Sequence, residues 1–425
     1  MSHWFHRNPL KSTAFTKFEL KKVINKESAS KICGEIRLRR SNFLDKLRSA
    51  ANEPQEIESE FQQYLALFYG FVFDIPENGN TSDNISNSKL RYFERFVWSN
   101  SMLNINETID VADSWFEVLS ICVNVALWYM KRGAWISSKD EVRETEAKQI
   151  HSALRKAAGI FIFVKENIEK LNGMYEFAGS DMDSKVLDAY ITQCIAEAQE
   201  ITIARAIELK HKPSLISALA TETANKYQCC DKLIENFNPL NFEKWRKYFQ
   251  LKHRFYSAYA YAYLGESLLS EDKCGAAIRA CKEGIQCYNM AEELCSKYAK
   301  SSGPGFVAKP EQHLFFRRIV PLLDRHLKKA EQENDFIYHQ MVPEERPLLE
   351  EKASFGLAQP EPFVYPNKFE GWTIAAYKAF DISKTNIVVD FGKPKKGTKS
   401  LPPVKEEKVY ETDKDPTNHS GCSIS

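Results

Sequence analysis

"MDSKVLDAYITQCIAEAQEITIARAIELKH", residues 182–211, decides how this chain folds. Leu187, Tyr190, Ile191, Cys194, Ile195, Ala198 and Ile201 recur at helical spacing and form one apolar stripe. "LKHK" then ends the pattern and Pro213 restarts it, as proline is tolerated at a first helical position. Two helices joined by a short turn make a hairpin unit. The same pattern runs outward on both sides, and it predicts helices near 108–133, 140–171, 182–211, 213–238, 242–270, 273–299 and 311–332. Within 251–297, Leu264-Gly265, Leu268 and Ala277 fall near the spacing of one tetratricopeptide unit. Helix hairpins stacked side by side build an elongated solenoid with a concave face.

The ends of the chain differ. Ile32, Ile36, Phe43 and Leu47 predict a helix over 30–51, and Pro54 opens a second with Ile57, Phe61, Leu65, Phe68 and Val72. "ENGNTSDNISNS", 77–88, is a loop, and "LRYFERFVWS", 90–99, alternates as a short strand or hairpin would. Before residue 30 the chain is irregular, with room for another strand. After Phe336 the prolines of "MVPEERPLLEEKASFGLAQPEPFVYPNKFEGW", 341–372, imply extended chain lying on the helices. From Lys393 the chain is charged and poor in apolar residues, so a disordered tether is expected. The expected organisation is a mainly α domain over 1–385, with a small β element near its N-terminus, and a tail over 386–425.

With 43% hydrophobic residues the chain can bury a large core. Lys+Arg 58 against Asp+Glu 57 supplies no global attraction to nucleic acid or an anionic surface. The start lacks the apolar stretch of a secretory signal, and Gly is absent from position 2. The most apolar run, Trp115–Met130, holds Glu117, Ser120 and Asn124, and is too short and polar to span a bilayer. Ten cysteines occur without a CxxC or a companion His cluster, which suggests reduced thiols in a cytoplasmic protein and no metal site.

Catalytic patterns are missing. HExxH, GxSxG, GxxxxGK[ST] and a GxGxxG after a strand do not occur, and "SSGPGF", 301–306, is a turn between helices rather than a phosphate loop. His3 and His6 flank Trp4-Phe5 without other ligands, and the remaining histidines are scattered. A non-enzymatic protein without a cofactor is expected.

The end of the chain carries a chemical signal. Cys422-Ser423-Ile424-Ser425 is a C-a-a-X box, and a final serine favours farnesyl. One lipid chain holds a protein only marginally at a membrane, so a second contact is needed. Lys393, Lys395, Lys396 and Lys399 make a weak one, being distant from the cysteine and followed by five acidic residues. A partner already at the membrane is the more natural one.

"ALRKAAGIF" (153–161), "IAEAQEITIARAIELK" (195–210) and "NDFIYHQMVP" (334–343) resemble the Bro-one domain, the boomerang-shaped helical domain shared with Alix. "SKLRYFERFVWSN" and "HWFHRNPLK" strengthen the resemblance, which covers about residues 1–385. The family implies binding of the C-terminal amphipathic helix of ESCRT-III subunits of the CHMP-four class, in a hydrophobic groove entered at i, i+3, i+4 and i+7. By motif, that groove falls on Thr202, on Leu215 and Leu219 one turn apart, on Phe336-Ile337-Tyr338, and on Phe355 and Leu357 of the extended segment. Thr202 departs from the pattern, since Alix has phenylalanine there, and Ile203 or Ile207 would have to compensate. The alternative for each of these residues is a place in the core. The resemblance thus implies an ESCRT-associated adaptor, peripheral on cytosolic membrane faces such as endosomal or nuclear-envelope membranes, modified by a prenyltransferase. Two rivals are a prenylated signalling enzyme or regulator, which calls for a nucleotide-binding loop, and a tetratricopeptide scaffold, which calls for several repeats of about 34 residues.

Overall fold

The structure is a computed structural model. It describes residues 3–407 except 21–22, 25, 77–86, 104–107, 140, 172–177, 306–307, 351–352, 354–355, 385–394 and 397–399. Helices α1 (Glu27–Lys46) and α2 (Pro54–Val72) come first. Strands β1 (Phe96–Ser99) and β2 (Thr108–Val111) then pair antiparallel, Phe96 opposite Val111 and Ser99 opposite Thr108. Six long helices follow: α3 (Ser114–Ser137), α4 (Glu144–Asn167), α5 (Ser184–Glu208), α6 (Pro213–Ile234), α7 (Pro239–Ser270) and α8 (Cys274–Lys300). Short α9 (Leu314–Arg317), α10 (Ile319–Glu333), a π turn over Asn334–Tyr338 and short α11 (Ile374–Lys378) complete the helical part. The backbone of β3 (Lys395–Lys396) adds to β2 as a third strand.

Each helix from α3 to α8 packs against the next, which is the expected solenoid of stacked hairpins. In the α7–α8 hairpin, a Cβ on Gly265 would lie 2.7 Å from Cys281 Sγ, so glycine lets the two helices approach. Helix starts follow local chemistry. Asp113, Asp183 and Asn238 cap α3, α5 and α7 by accepting from the N–H two residues on, and Pro54, Pro213 and Pro239 occupy first turns.

Two boundaries depart from expectation. Residues 108–111 form a strand, because the Asp113 cap starts α3 only at Ser114. The helix expected over 311–332 is split at Arg318, and Pro321 sits in the first turn of α10, where its missing N–H has no helical partner to lose.

Of the 24 residues of α3, only Trp135 is not fully buried. Its polar residues are sockets for the N-terminal segment and α1. Glu117 accepts from Arg40 Nε (2.7 Å), Trp98 Nε1 (2.7 Å) and the Tyr64 hydroxyl (3.0 Å). Asn124 exchanges two hydrogen bonds with the Lys11 backbone, and Ser120 Oγ accepts from Lys11 Nζ. Residues 3–12 of the irregular stretch are therefore almost wholly buried, and one bridge, Thr13 to Trp98, ties the stretch to the sheet. All nine described cysteines are free thiols, and seven are buried. No helix among the described residues is long and apolar enough to cross a membrane.

Candidate partner-binding surface

After α10 the chain turns at His339, in the left-handed region at φ 49°, and runs back over the solenoid as a strap. It crosses the helices in reverse order. On α8, Gln340 Oε1 accepts from Gly275 N (3.0 Å), and the Glu344 carbonyl accepts from Arg279 Nε (3.0 Å). On α5, Gln199 clamps it twice: Nε2 donates to the Gly356 carbonyl, and Oε1 accepts from Ala358 N, both at 2.8 Å. On α4, Arg155 Nε donates to the Gln359 carbonyl, and the Arg155 carbonyl accepts from Glu361 N. On α2, Phe363 lies between Phe61 and Phe163, and Tyr365 and Trp372 donate to the Leu65 and Leu67 carbonyls.

Glycines mark the crossings. A Cβ on Gly275 would lie 2.5 Å from the Met341 carbonyl oxygen, one on Gly159 1.6 Å from that of Glu361, and one on Gly70 2.6 Å from the Trp372 ring. The strap's own Gly356 (φ 82°) sits over Leu219 and Thr202, at 3.6 and 3.9 Å from where its Cβ would be.

The structure thus brings together Thr202, Leu219 and the strap residues 356–357. Leu219 is only 1% exposed under Gly356 and belongs to the core in this arrangement, so it offers no open anchor. Thr202 is half-buried with its hydroxyl turned to the Ala198 carbonyl, Leu215 is half-buried against the core, and Leu357 is exposed. Ile203 is fully buried and cannot compensate for Thr202, whereas Ile207 is half-buried. Phe355 lies outside the described residues, as do Cys422 and the rest of the C-a-a-X box.

Phe336 and Ile337 sit at the other end of the strap, on the π turn beside α8. They are 83% and 65% exposed, so the core alternative fails for both. Tyr338 differs, for its hydroxyl donates to Asp272 at the α7–α8 turn (2.5 Å). Phe336, Ile337, Met341, Val342, Leu348, Leu357 and Val364 are large apolar side chains left exposed at successive points along the strap.

One polar cluster escaped the sequence. Glu197 and Glu200, one turn apart on α5, are wholly buried. Arg7 pairs with Glu197, which also accepts from Gln193 and the Tyr248 hydroxyl. Lys252 donates to both oxygens of Glu200 (2.9 and 2.8 Å) and lies 3.7 Å above the Trp4 ring. Tyr227 donates to the same carboxylate, and His3 Nδ1 lies 3.4 Å from it. Burial opposes ionisation of Glu200, but Lys252 and His3 outweigh it and hold the carboxyl below its usual range. Each carboxylate is matched by a cation and sealed from water, which suits a structural hub rather than a reaction site. No group of His, Cys, Asp and Glu able to hold a metal occurs among the described residues.

The model of the BRO1-like domain matches residues 7–382. The chain belongs to the BRO1-domain family. A BRO1 domain-containing protein BROX homolog of Caenorhabditis elegans is 51% identical over 428 residues, covering all of both chains. The BRO1 domain-containing protein BROX of Homo sapiens is 44% identical over 385 residues, 90% of this chain and 92% of that protein. Among solved structures, a Bro1 domain described as the basis for endosomal targeting has a TM-score of 0.63 at 20% identity, covering 85% of this chain and 93% of that one. The Alix BRO1 domain in complex with CHMP4C has a TM-score of 0.62 at 18% identity, covering 87% and 99%. The mainly helical fold is that of the BRO1 domain.

Proposed function

We propose that this chain is a non-enzymatic ESCRT-associated adaptor. Its strap surface receives the C-terminal amphipathic helix of an ESCRT-III subunit of the CHMP-four class, and farnesyl on Cys422, added by a prenyltransferase, tethers it to cytosolic membrane faces. The observation that carries the reading is the set of exposed apolar side chains along the strap, with half-buried Thr202 beside its crossing at Gly356. An amphipathic helix has an apolar stripe to lay on such a surface. Membership of the BRO1-domain family, with the Alix domain's CHMP4C complex among its folds, supports the partner class. A weak groove contact and a weak lipid contact joined in one chain gain from effective concentration.

The test is titration of a CHMP-four C-terminal helix peptide against the full chain and two variants, Leu215→Asp and Leu357→Asp. The reading expects at least about a tenfold loss of affinity in each, since a charge replaces a desolvated apolar contact. Unchanged affinity in both folded variants would remove the groove from this surface. The anchor is tested separately: Cys422→Ser should move the chain out of the membrane fraction of cells.

A further inference from the structure

The tail returns to the body before it reaches the box. Within the stretch expected to be a disordered tether, residues 400–407 lie against the N-terminal segment and α1, and Pro402–Lys405 wall one side of a cleft of about 440 Å³ that stays open beside them. The low apolar content of the tail hides this, because the docking is mostly polar and main-chain. Ser12 Oγ donates to the Pro402 carbonyl (2.7 Å), and Val404 packs against the core. Arg48 Nε donates to the Lys405 carbonyl (2.9 Å), while Glu407 N donates to the Arg48 carbonyl (2.8 Å). Glu406 is the innermost contact. Its Oε1 accepts from Leu10 N (2.8 Å), and its carboxylate pairs with Lys131 of α3, with both side chains at most 5% exposed.

We propose that this face is a binding site for the chain's own tail, a latch that recognises an extended Pro-Pro-Val-Lys-Glu-Glu segment through Lys131, the Leu10 amide and both the side chain and the carbonyl of Arg48. Two features make the site selective. A buried lysine facing a buried carboxylate discriminates against a neutral residue at position 406, which would take away the charge that Lys131 faces there. The prolines limit the unbound conformations of the segment, so less entropy is lost on docking.

The consequence concerns reach, and this part rests on the lipid-anchor reading. From Lys396, the end of β3, Cys422 could lie at most roughly 90 Å away along a fully extended chain; from Glu407 it could lie at most roughly 50 Å away. The latch therefore fixes the departure point beside the C-terminal end of α1 and limits the orientations in which the domain meets a membrane.

Amide hydrogen exchange on the full unlipidated chain tests the latch without involving the lipid. Peptides covering 400–407 should exchange at least about tenfold more slowly than a synthetic 398–409 peptide, and Glu406→Ala should bring them to the free rate while peptides of α5–α7 stay unchanged. The 398–409 peptide added in trans should bind the Glu406→Ala chain at least about tenfold more tightly than wild type, whose docking face its own tail occupies. Free-rate exchange of 400–407 in wild type, or equal peptide binding to both chains, would overturn the proposal. Loss of membrane retention in Cys422→Ser with protection of 400–407 intact would uphold lipid and latch independently.

Discussion

Glu200 shows how much a single residue can hold in this molecule. It anchors the N-terminal segment through His3, α6 through Tyr227 and α7 through Lys252. Removing one partner of a buried ion pair strands the other charge, at a cost of about 3–5 kcal/mol. Lys252→Met should therefore lower stability by about that amount in urea denaturation. The double variant Glu200→Gln with Lys252→Met should recover part of the loss, because no charge then remains buried and unpaired. His3 adds a pH dependence. Burial, opposed by Glu200, lowers its pKa from the ordinary 6.5. The unfolded chain takes up a proton near pH 6.5 and the folded one only below that, so acid favours unfolding. The contribution is complete above 6.5 and is lost as pH falls from there through the folded value. The melting temperature should thus be lower at pH 5.5 than at 7.5. His3→Gln should narrow the gap without closing it, since burial also lowers His253 and His326.

At the scale of elements, the strap and the helices it crosses depend on different signals. The helices were legible because Pro213, Pro54 and the stripes from Leu187 to Ile201 act locally. The buried face of α5 was not: Gln193, Glu197 and Glu200 have the composition of a solvated face, and only their distant partners Arg7, Trp245 and Lys252 make burial tolerable. The strap has no period to detect. Its one local trace was glycine within a helix, interior at position 159 and near an end at positions 70 and 275, each of which admits the strap. For the candidate groove, motif resemblance does not foresee the fate of Leu219, which depends on where Gly356 lands. Gly159→Ala separates the two levels. In an isolated helix the change stabilises by about 1 kcal/mol. Here the new methyl would meet the Glu361 carbonyl oxygen 1.6 Å away, so the strap must shift. Hydrogen exchange over 357–363 should rise while α5 keeps its protection, and net stability should fall despite the gain in helix propensity.

Across the whole molecule, the first and the last described segments of the chain meet in one place. Residues 3–8 thread among α3, α5, α7 and α8, and residues 400–407 lie against residues 10–12. In a solenoid each helix touches mainly its neighbours, so stability is approximately a sum of local terms. The N-terminal segment breaks that rule by joining non-adjacent helices at once. Trp4 packs edge-on against Tyr248, Phe255 and Phe316, and Arg7 links the Met130 carbonyl on α3 to Glu197 on α5. Loss of this segment should therefore cost more than its own contacts. Deleting residues 2–8 removes two buried aromatics, Trp4 and Phe5, each worth about 3–5 kcal/mol when truncated, and also takes Arg7 from Glu197 and His3 from Glu200. Those penalties approach the 5–15 kcal/mol that holds a typical domain together. The deletion should leave far-ultraviolet circular dichroism largely helical while abolishing the near-ultraviolet signal and broadening the urea transition, because local hairpins persist without the part that couples them. A sharp, wild-type-like transition in the deletion chain would show that neighbour contacts alone make the solenoid cooperative.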